Sequence, residues 1–144
     1  MVELKKVETD EEFQQTLKLR FKVFVDEQGV PEEIEHDDKD EKAVHFMARE
    51  ENKTIGCGRI VFSDNKGKIG RVAVDKEWRK EGIGSKICTK LIEIARKRNI
   101  DKLVLHAQYD TVEFYKKLGF KTIGDTFQEA GIKHIKMIKI LSAG

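Results

Sequence analysis

The 144 residues carry 28 Lys plus Arg against 26 Asp plus Glu, a formal charge of +2, with 39% apolar residues, one Pro and 11 Gly. This is the composition of one ordinary globular domain, residues 1–144, and it excludes disorder and collagen-like repeats; the small net charge argues against a nucleic-acid binder. Apolar runs such as Val23-Phe24-Val25 are too short for a bilayer span or a signal peptide, and Cys57 and Cys88 alone cannot build a disulfide framework or a four-ligand zinc site, so a reducing cytoplasm is expected, with neither membrane nor metal.

In chain order, Val2–Val7 reads as a short strand. Thr9-Asp10-Glu11-Glu12 fits a capping box, in which each end residue's side chain satisfies a free backbone N–H. Phe13, Leu17, Phe21 and Phe24 then recur at helical spacing, which predicts a helix from Asp10 to near Val25, ended by Gly29 and Pro31. The stretch Pro31–Lys42 has seven carboxylates against two lysines and reads as a loop with a short helical turn around Glu32–Glu35. Residues 1–72 hold 13 basic and 17 acidic groups, net −4, whereas 73–144 hold 15 and 9, net +6. Either an anion-favouring half faces a cation-favouring loop, or both are solvated surface.

Ala43–Glu50, Thr54–Ser63 and Lys68–Asp75 are β-type runs separated by the turn-like Glu51-Asn52-Lys53 and Asp64-Asn65-Lys66-Gly67, an antiparallel meander. Ile83, Ile87, Leu91 and Ile94 mark a second helix over 82–97, whose basic end suits the negative pole of the helix dipole. Asp101–Gln108 is a buried strand, Asp110–Leu118 a short helix stopped by Gly119, and Phe120–Thr126 and Lys133–Ile140 the last strands. The order β-α-β-β-β-α-β-α-β-β predicts one α/β sheet of mixed direction.

The sharpest local signal is Arg79-Lys80-Glu81-Gly82-Ile83-Gly84-Ser85, between a strand and a helix. Glycines at a helix start let backbone N–H groups approach a phosphate closely, and the dipole favours its charge. A dinucleotide fingerprint would need a third glycine where Ile87 stands, and the G-x-x-x-x-G-K-[ST] pattern is absent. The plain alternative is a helix start that uses glycine only for turn geometry.

Arg79-x-x-Gly82-x-Gly84, following Val72-Ala73-Val74, resembles the Q/R-x-x-G-x-G/A motif of the GNAT (GCN5-related) N-acetyltransferases. Further on, Phe114-Tyr115-Lys116-Lys117-Leu118-Gly119-Phe120 is similar to that family's F-Y-x-K-x-G-F segment. The resemblance extends to the ElaA/YjcF-like bacterial branch through Leu19-Arg20, Val23–Pro31, Asp37-Asp38, Ala107-Gln108 and Gly131–Met137, so it spans essentially the whole chain. It implies a GNAT fold: a single mixed, largely antiparallel sheet with flanking helices, whose central parallel strands, 68–75 and 102–108, splay around acyl-CoA. The pantetheine arm would pair with Val72, Ala73 and Val74 as a pseudo-strand. The pyrophosphate would lie on the N–H groups of Lys80, Glu81, Gly82, Ile83, Gly84 and Ser85 beside Arg79, with Phe114 and Lys117 also on the cofactor side. A strand N–H near Val72 would meet the oxygen that becomes negative during attack.

By the same resemblance Tyr115 would donate a proton to the departing CoA thiolate, a role that suits a phenol, although a helix tyrosine also fits plain core packing. Many members carry a basic glutamate on the strand before the phosphate loop, but here Ile69 and Gly70 precede Arg71. The base is therefore left to His134, His106, Glu27 or a water held by backbone; a neutral imidazole, with its intrinsic pKa near 6.5, suits the deprotonation of an ammonium. Gln28, Arg59, Arg71 and Gln108 are acceptor-side candidates, and Arg71 could equally pair with an acid of the 31–42 loop. His45 reads as a structural histidine, Cys57 and Cys88 as small apolar fillers.

These features imply an acetyl-CoA-dependent N-acetyltransferase that moves the acetyl group directly to a primary amine in a ternary complex. The competing reading is a GNAT-fold protein that binds or senses acyl-CoA without transfer; a nucleotide-binding loop at Gly82/Gly84 is a more remote third. The expected partners are acetyl-CoA and a small amine or a protein lysine, in a monomer or homodimer.

Overall fold

A computed structural model describes residues 2–35 and 37–141. Among these, seven strands form one sheet in the order β1-β2-β3-β4-β5-β7-β6: β1 Val2–Lys6, β2 Val44–Glu50, β3 Lys53–Ser63, β4 Lys66–Val74, β5 Lys102–Gln108, β6 Lys121–Glu129 and β7 Ile132–Ile140. Every neighbouring pair is antiparallel except β4 and β5, which are parallel because a helix, α3 (Ile83–Lys97), carries the chain back between them. The expected order and mixed direction are both present. At the β2–β3 and β3–β4 turns Glu51, Asn52, Asp64 and Asn65 take φ of 48°, 73°, 46° and 61°, the left-handed pair that matches a tight hairpin to strand twist.

One face of the sheet packs on α3. Ile83, Ile87, Leu91 and Ala95 bury against Ile55, Ile60, Ile69, Leu103 and Leu105. Each fully buried Ile or Leu contributes about 1.5–3 kcal/mol, and this is the main core. Close approach requires bare backbone on β3: a Cβ at Gly58 would stand 2.9 Å from Ile87 Cγ2.

The opposite face is covered by α1 (Asp10–Arg20), which begins with the expected capping box: Thr9 Oγ1 accepts from Glu12 N–H, and Glu12 Oε1 accepts from Thr9 N–H. The helix differs from the sequence expectation in two ways. It does not stay α-helical to Val25 but widens at Phe21–Glu27 into a π-helix, which reaches Val30 through a bond from Val30 N–H to Phe24 O. Nor is the Phe13/Leu17/Phe21/Phe24 stripe the buried one; Glu12, Thr16, Leu19, Arg20 and Val23 are. Three of those five are polar, and periodicity assigns polar residues to solvent. They can be buried because each is satisfied: Glu12 in the cap and by Lys5, Thr16 by donating to Phe13 O, and Arg20 by carboxylates.

Those carboxylates come from the acidic loop. It contains the short helix α2 (Glu32–Glu35) at the expected turn and a 3₁₀ turn at Asp38–Glu41. Arg20, only 1% exposed, donates from Nε to Glu35 Oε1 (2.6 Å) and from Nη1 to Asp40 Oδ1 (2.8 Å). Arg59 donates from Nη1 to Asp37 Oδ1 and Asp40 Oδ1, both at 2.7 Å. Arg71 lies 2.8 Å from Glu35 Oε2 and 3.3 Å from Asp37 Oδ2. Three arginines thus balance three carboxylates, with Glu35 and Asp40 at 2% and 4% exposure. The loop is therefore neither wholly solvated nor a free acidic surface: Glu35, Asp37 and Asp40 point inward and tie it to α1, β3 and β4. His45 also belongs to this framework, through Nε2 at 2.9 Å from Asp40 O and an edge contact with Phe13.

Burial alone would raise the Asp40 carboxyl, but hydrogen bonds and charge from Arg20 and Arg59 outweigh it and hold it below its ordinary value; Asp37 is held down similarly by Arg59 and Arg71. Such groups stabilise the fold above the unfolded carboxyl pKa near 3.9, and lose that contribution as pH falls through the lower folded value. Asp40→Asn is expected to cost about 3 kcal/mol at pH 7, the low end for a broken buried pair, because Arg20 and Arg59 each keep a second carboxylate. Denaturant unfolding measures this; the gap from wild type should narrow below about pH 4, and a constant gap would contradict the assignment.

Candidate active site

The parallel ladder between β4 and β5 runs only from Lys66↔Lys102 to Ile69↔Leu105, and beyond it the strands part. The cause is on the other edge of β4. Arg59 pairs with Gly70 and Cys57 with Ala73, so two steps on β3 span three on β4, and Arg71 sits in this bulge at φ 54°. An extra residue bends its strand and increases local twist, which turns the end of β4 away from β5. The edge of β4 facing β5 therefore has no ladder from Gly70 onward. A cavity of about 1200 Å³ opens in the fork, larger than the ~1,000 Å³ upper end of usual ligand pockets.

One wall is made by β4 and the starts of α3 and α4 (Val112–Lys117). Gly82, at φ 81°, caps α3 with no side-chain hydrogen bond, so the first-turn N–H groups of Ile83, Gly84 and Ser85 point outward without an intrahelical acceptor. A Cβ on Gly84 would stand 3.4 Å from Phe114 Cζ and 3.5 Å from Val74 Cγ2, so three elements converge there. Val72, Ala73, Val74, Lys80, Gly82, Ile83, Gly84, Ser85, Phe114 and Lys117 all line the cavity, and Glu81 does not. Arg79 lines it too, but its guanidinium is engaged: Nε donates to Val74 O (3.0 Å) and Nη2 to Glu27 (2.9–3.0 Å). It is a strut between the end of β4 and the π-helix, and its partner Glu27 does not line the cavity.

Tyr115 lies at the meeting of the walls, edge-on to Phe114 (4.9 Å) and Phe120 (6.0 Å), and lines the cavity. Burial, with Cys88 behind it, pushes its phenol up, so the hydroxyl keeps its proton. Cys57 and Cys88 are buried and their thiols are pushed up to about 12, so both are inert fillers as expected.

The facing wall comes from β5, β6 and β7. Gln108 registers with His134 on β7, and its amide donates to Gln28 Oε1 (2.7 Å) from the end of the π-helix. His134 Nδ1 is 2.7 Å from Ile132 O; a carbonyl only accepts, so Nδ1 carries the proton and Nε2 of the neutral ring keeps a lone pair. Nε2 faces Glu129 Oε2 at 3.9 Å, while Glu129 Oε1 lies 2.8 Å from His106 Nδ1. Phe127 is edge-on to His106 and stacks on His134. Burial would raise the Glu129 carboxyl, but the bond to His106 and the positive groups around it prevail and hold it below its ordinary value. A carboxylate oxygen and an imidazole lone pair facing each other across 3.9 Å lack a donor between them.

The sequence reading named His134 and His106 but missed Glu129. It sits where β6 turns into β7, an unremarkable acid in Glu129-Ala130-Gly131, and only the β6–β7 register, Phe127↔His134 and Glu129↔Ile132, brings it to the histidines. Arg59 and Arg71 do line the cavity, but their guanidinium groups are bound to Glu35, Asp37 and Asp40. No group of three or more His, Cys, Asp or Glu among the described residues could hold a metal.

Residues 5–141 match the family model described as an acetyltransferase (GNAT) domain. The chain belongs to the GNAT acetyltransferase family. It is 34% identical over 131 residues to the uncharacterized N-acetyltransferase YjcF of Bacillus subtilis, covering 90% of this chain and 94% of that one. The crystal structure of ElaA from Escherichia coli superposes with a TM-score of 0.87 at 27% identity, over 96% of this chain and 99% of that one. An aminoglycoside 6′-N-acetyltransferase complexed with coenzyme A shares the fold, with a TM-score of 0.77 at 17% identity over 99% and 98% of the two chains. These likenesses agree with the expected GNAT fold, its ElaA/YjcF-like branch and the N-acetyltransferase class. No helix among the described residues is long and apolar enough to cross a membrane.

Nitrogen-15 shifts of histidine-labelled protein should show neutral His134 protonated at Nδ1. Glu129→Gln should perturb both His106 and His134 signals; protonation at Nε2, or a response of His106 alone, would contradict the pairing described.

Proposed function

We propose that this GNAT protein transfers the acetyl group of acetyl-CoA directly to a primary amine, with Tyr115 as acid and His134 as base. The observation that carries this reading is that Tyr115 and His134 line one cavity with the unpaired edge of β4 and the uncapped start of α3. The pantetheine arm pairs with the Val72–Val74 edge, and the pyrophosphate accepts from the N–H groups of residues 83–85. The acceptor enters as an ammonium between His134 Nε2 and Glu129. Nε2 takes its proton, and the adjacent carboxylate, itself held by His106, stabilises the imidazolium.

The freed lone pair attacks the thioester carbonyl, and the resulting oxyanion meets a β4 N–H near Val72. As the intermediate collapses the C–N bond stays, the C–S bond breaks, and the nitrogen loses its second proton to solvent, as His134 loses the first. The departing thiolate takes a proton from the Tyr115 hydroxyl, which solvent restores. Binding both substrates before chemistry requires no nucleophile on the enzyme, in keeping with two inert cysteines.

Tyr115→Phe should keep CoA affinity within a few-fold yet lower kcat by about 10²–10⁴, the usual worth of general acid catalysis. His134→Ala should likewise lower kcat while leaving CoA affinity within a few-fold, because the base acts only on the acceptor amine. Near-normal kcat in Tyr115→Phe with a reactive amine, when chemistry limits the rate, would remove the acid assignment. Tight CoA binding with no turnover on any amine would favour an acyl-CoA sensor. For the phosphate loop, Gly84→Val should weaken CoA binding at least about tenfold through loss of charged hydrogen bonds, since its methyl groups meet Phe114 and Val74; Gly84→Ala should not. Calorimetric titration decides it.

A further inference from the structure

Of the cations that line the cavity beside the acidic loop and β4, Lys39 and Lys68 have no carboxylate partner among the described residues, and of these two Lys39 is exposed and Lys68 half-buried. Arg20, Arg59 and Arg71 are engaged with Glu35, Asp37 and Asp40, and Glu129 with His106. Lys68 lines the same cavity, half-buried, and among the described residues no carboxylate lies within 4 Å of its ammonium. Its place is fixed by the ladder. It pairs with Val61 on β3 and Val104 on β5, at the penultimate rung before β4 and β5 part, so it stands at the floor of the fork. His106 is two residues, about 7 Å, further along β5 on the same face.

The surroundings of Lys68 make its charge costly. Burial lowers its pKa, and Lys39, Arg59 and Arg71 push the same way, while Glu129 opposes them. A desolvated ammonium among like charges is relieved by an anion that arrives with a ligand. Glu129 and His134 meanwhile face each other without a donor between them. The cavity thus offers an anion subsite at Lys68 and an ammonium subsite at Glu129/His134, a short distance apart on one sheet face.

We propose that the acceptor is a small amine that also carries an anionic group, carboxylate or phosphate, held by Lys68 while its ammonium lies at His134 and Glu129. This rests on the transferase reading given above. It reverses what the acidic loop suggests in isolation, because that loop's inward carboxylates are already neutralised and cannot select a polyamine. Lys68 is a specificity determinant here, and no step of the chemistry passes through it.

The test uses matched pairs at saturating acetyl-CoA: phosphoethanolamine with ethanolamine, and 4-aminobutyrate with 4-aminobutyramide. The phosphate and carboxylate arms identify which anion fits. In the wild type, kcat/KM should favour the anionic member of at least one pair by about tenfold or more, the usual worth of a charged hydrogen bond. In Lys68→Met that ratio should collapse to about one, and in Lys68→Arg it should survive. Equal ratios in both pairs, preference for the neutral member or for spermidine, or a preference that persists in Lys68→Met would overturn the proposal. If no amine is acetylated although CoA binds, the transferase reading has failed. The Lys68 assignment is then decided by calorimetry on the CoA-loaded wild type, where tighter binding of the anionic members supports it and equal or undetectable binding of all four overturns it.

Discussion

The structure depends on the parting of two parallel strands. Hydrogen bonding alone would zip β4 to β5 along their full length and leave no cavity. The extra residue at Arg71, accommodated at positive φ, spends the β3–β4 register on a bend, and the ladder to β5 ends at Ile69↔Leu105. This one irregularity does three things. It exposes a row of backbone donors and acceptors inside the molecule, aims the Arg71 side chain at the acidic loop, and opens a cavity that Tyr115 and His134 both line. An unpaired internal strand edge is unfavourable unless something completes it, and an extended ligand is the natural completion.

The second constraint is electrostatic. Six charged side chains lie between α1, the 31–42 loop, β3 and β4, and their three positive and three negative charges cancel locally. Such a lattice adds little stability over a well-packed apolar core, but removing any one member is costly, so it fixes the position of the loop over the sheet. It also neutralises four of the charged side chains that line the cavity, Glu35, Asp37, Arg59 and Arg71. Charged and titratable groups that line the cavity outside it include Lys68 on β4 and, on the far wall, Glu129 with its two histidines.

Much of this was legible in the sequence, for identifiable reasons. The order of elements followed from hydrophobic periods and turn residues, and the glycine-marked start of α3 from Gly82 and Gly84. Tyr115 came with a segment resemblance. What the sequence could not show depends on long-range register or on polar burial. Periodicity assigned polar residues of α1 to solvent, yet Glu12, Thr16 and Arg20 are its buried face. Arg79 carries a motif associated with phosphates, but only coordinates reveal that it holds Val74 O and Glu27. Glu129 and Lys68 have no motif at all. Their significance comes from neighbours on strands far away in the chain.

Amide hydrogen exchange with and without CoA tests the central claim most directly, since it reads the backbone groups said to receive the cofactor. Two segments distant in sequence, the β4 edge at Val72–Val74 and the first turn of α3 at residues 83–85, should gain protection together on CoA addition, while β1 and β2 stay unchanged. Protection confined to other segments, or of the helix start without the strand edge, would contradict a ligand seated in the fork.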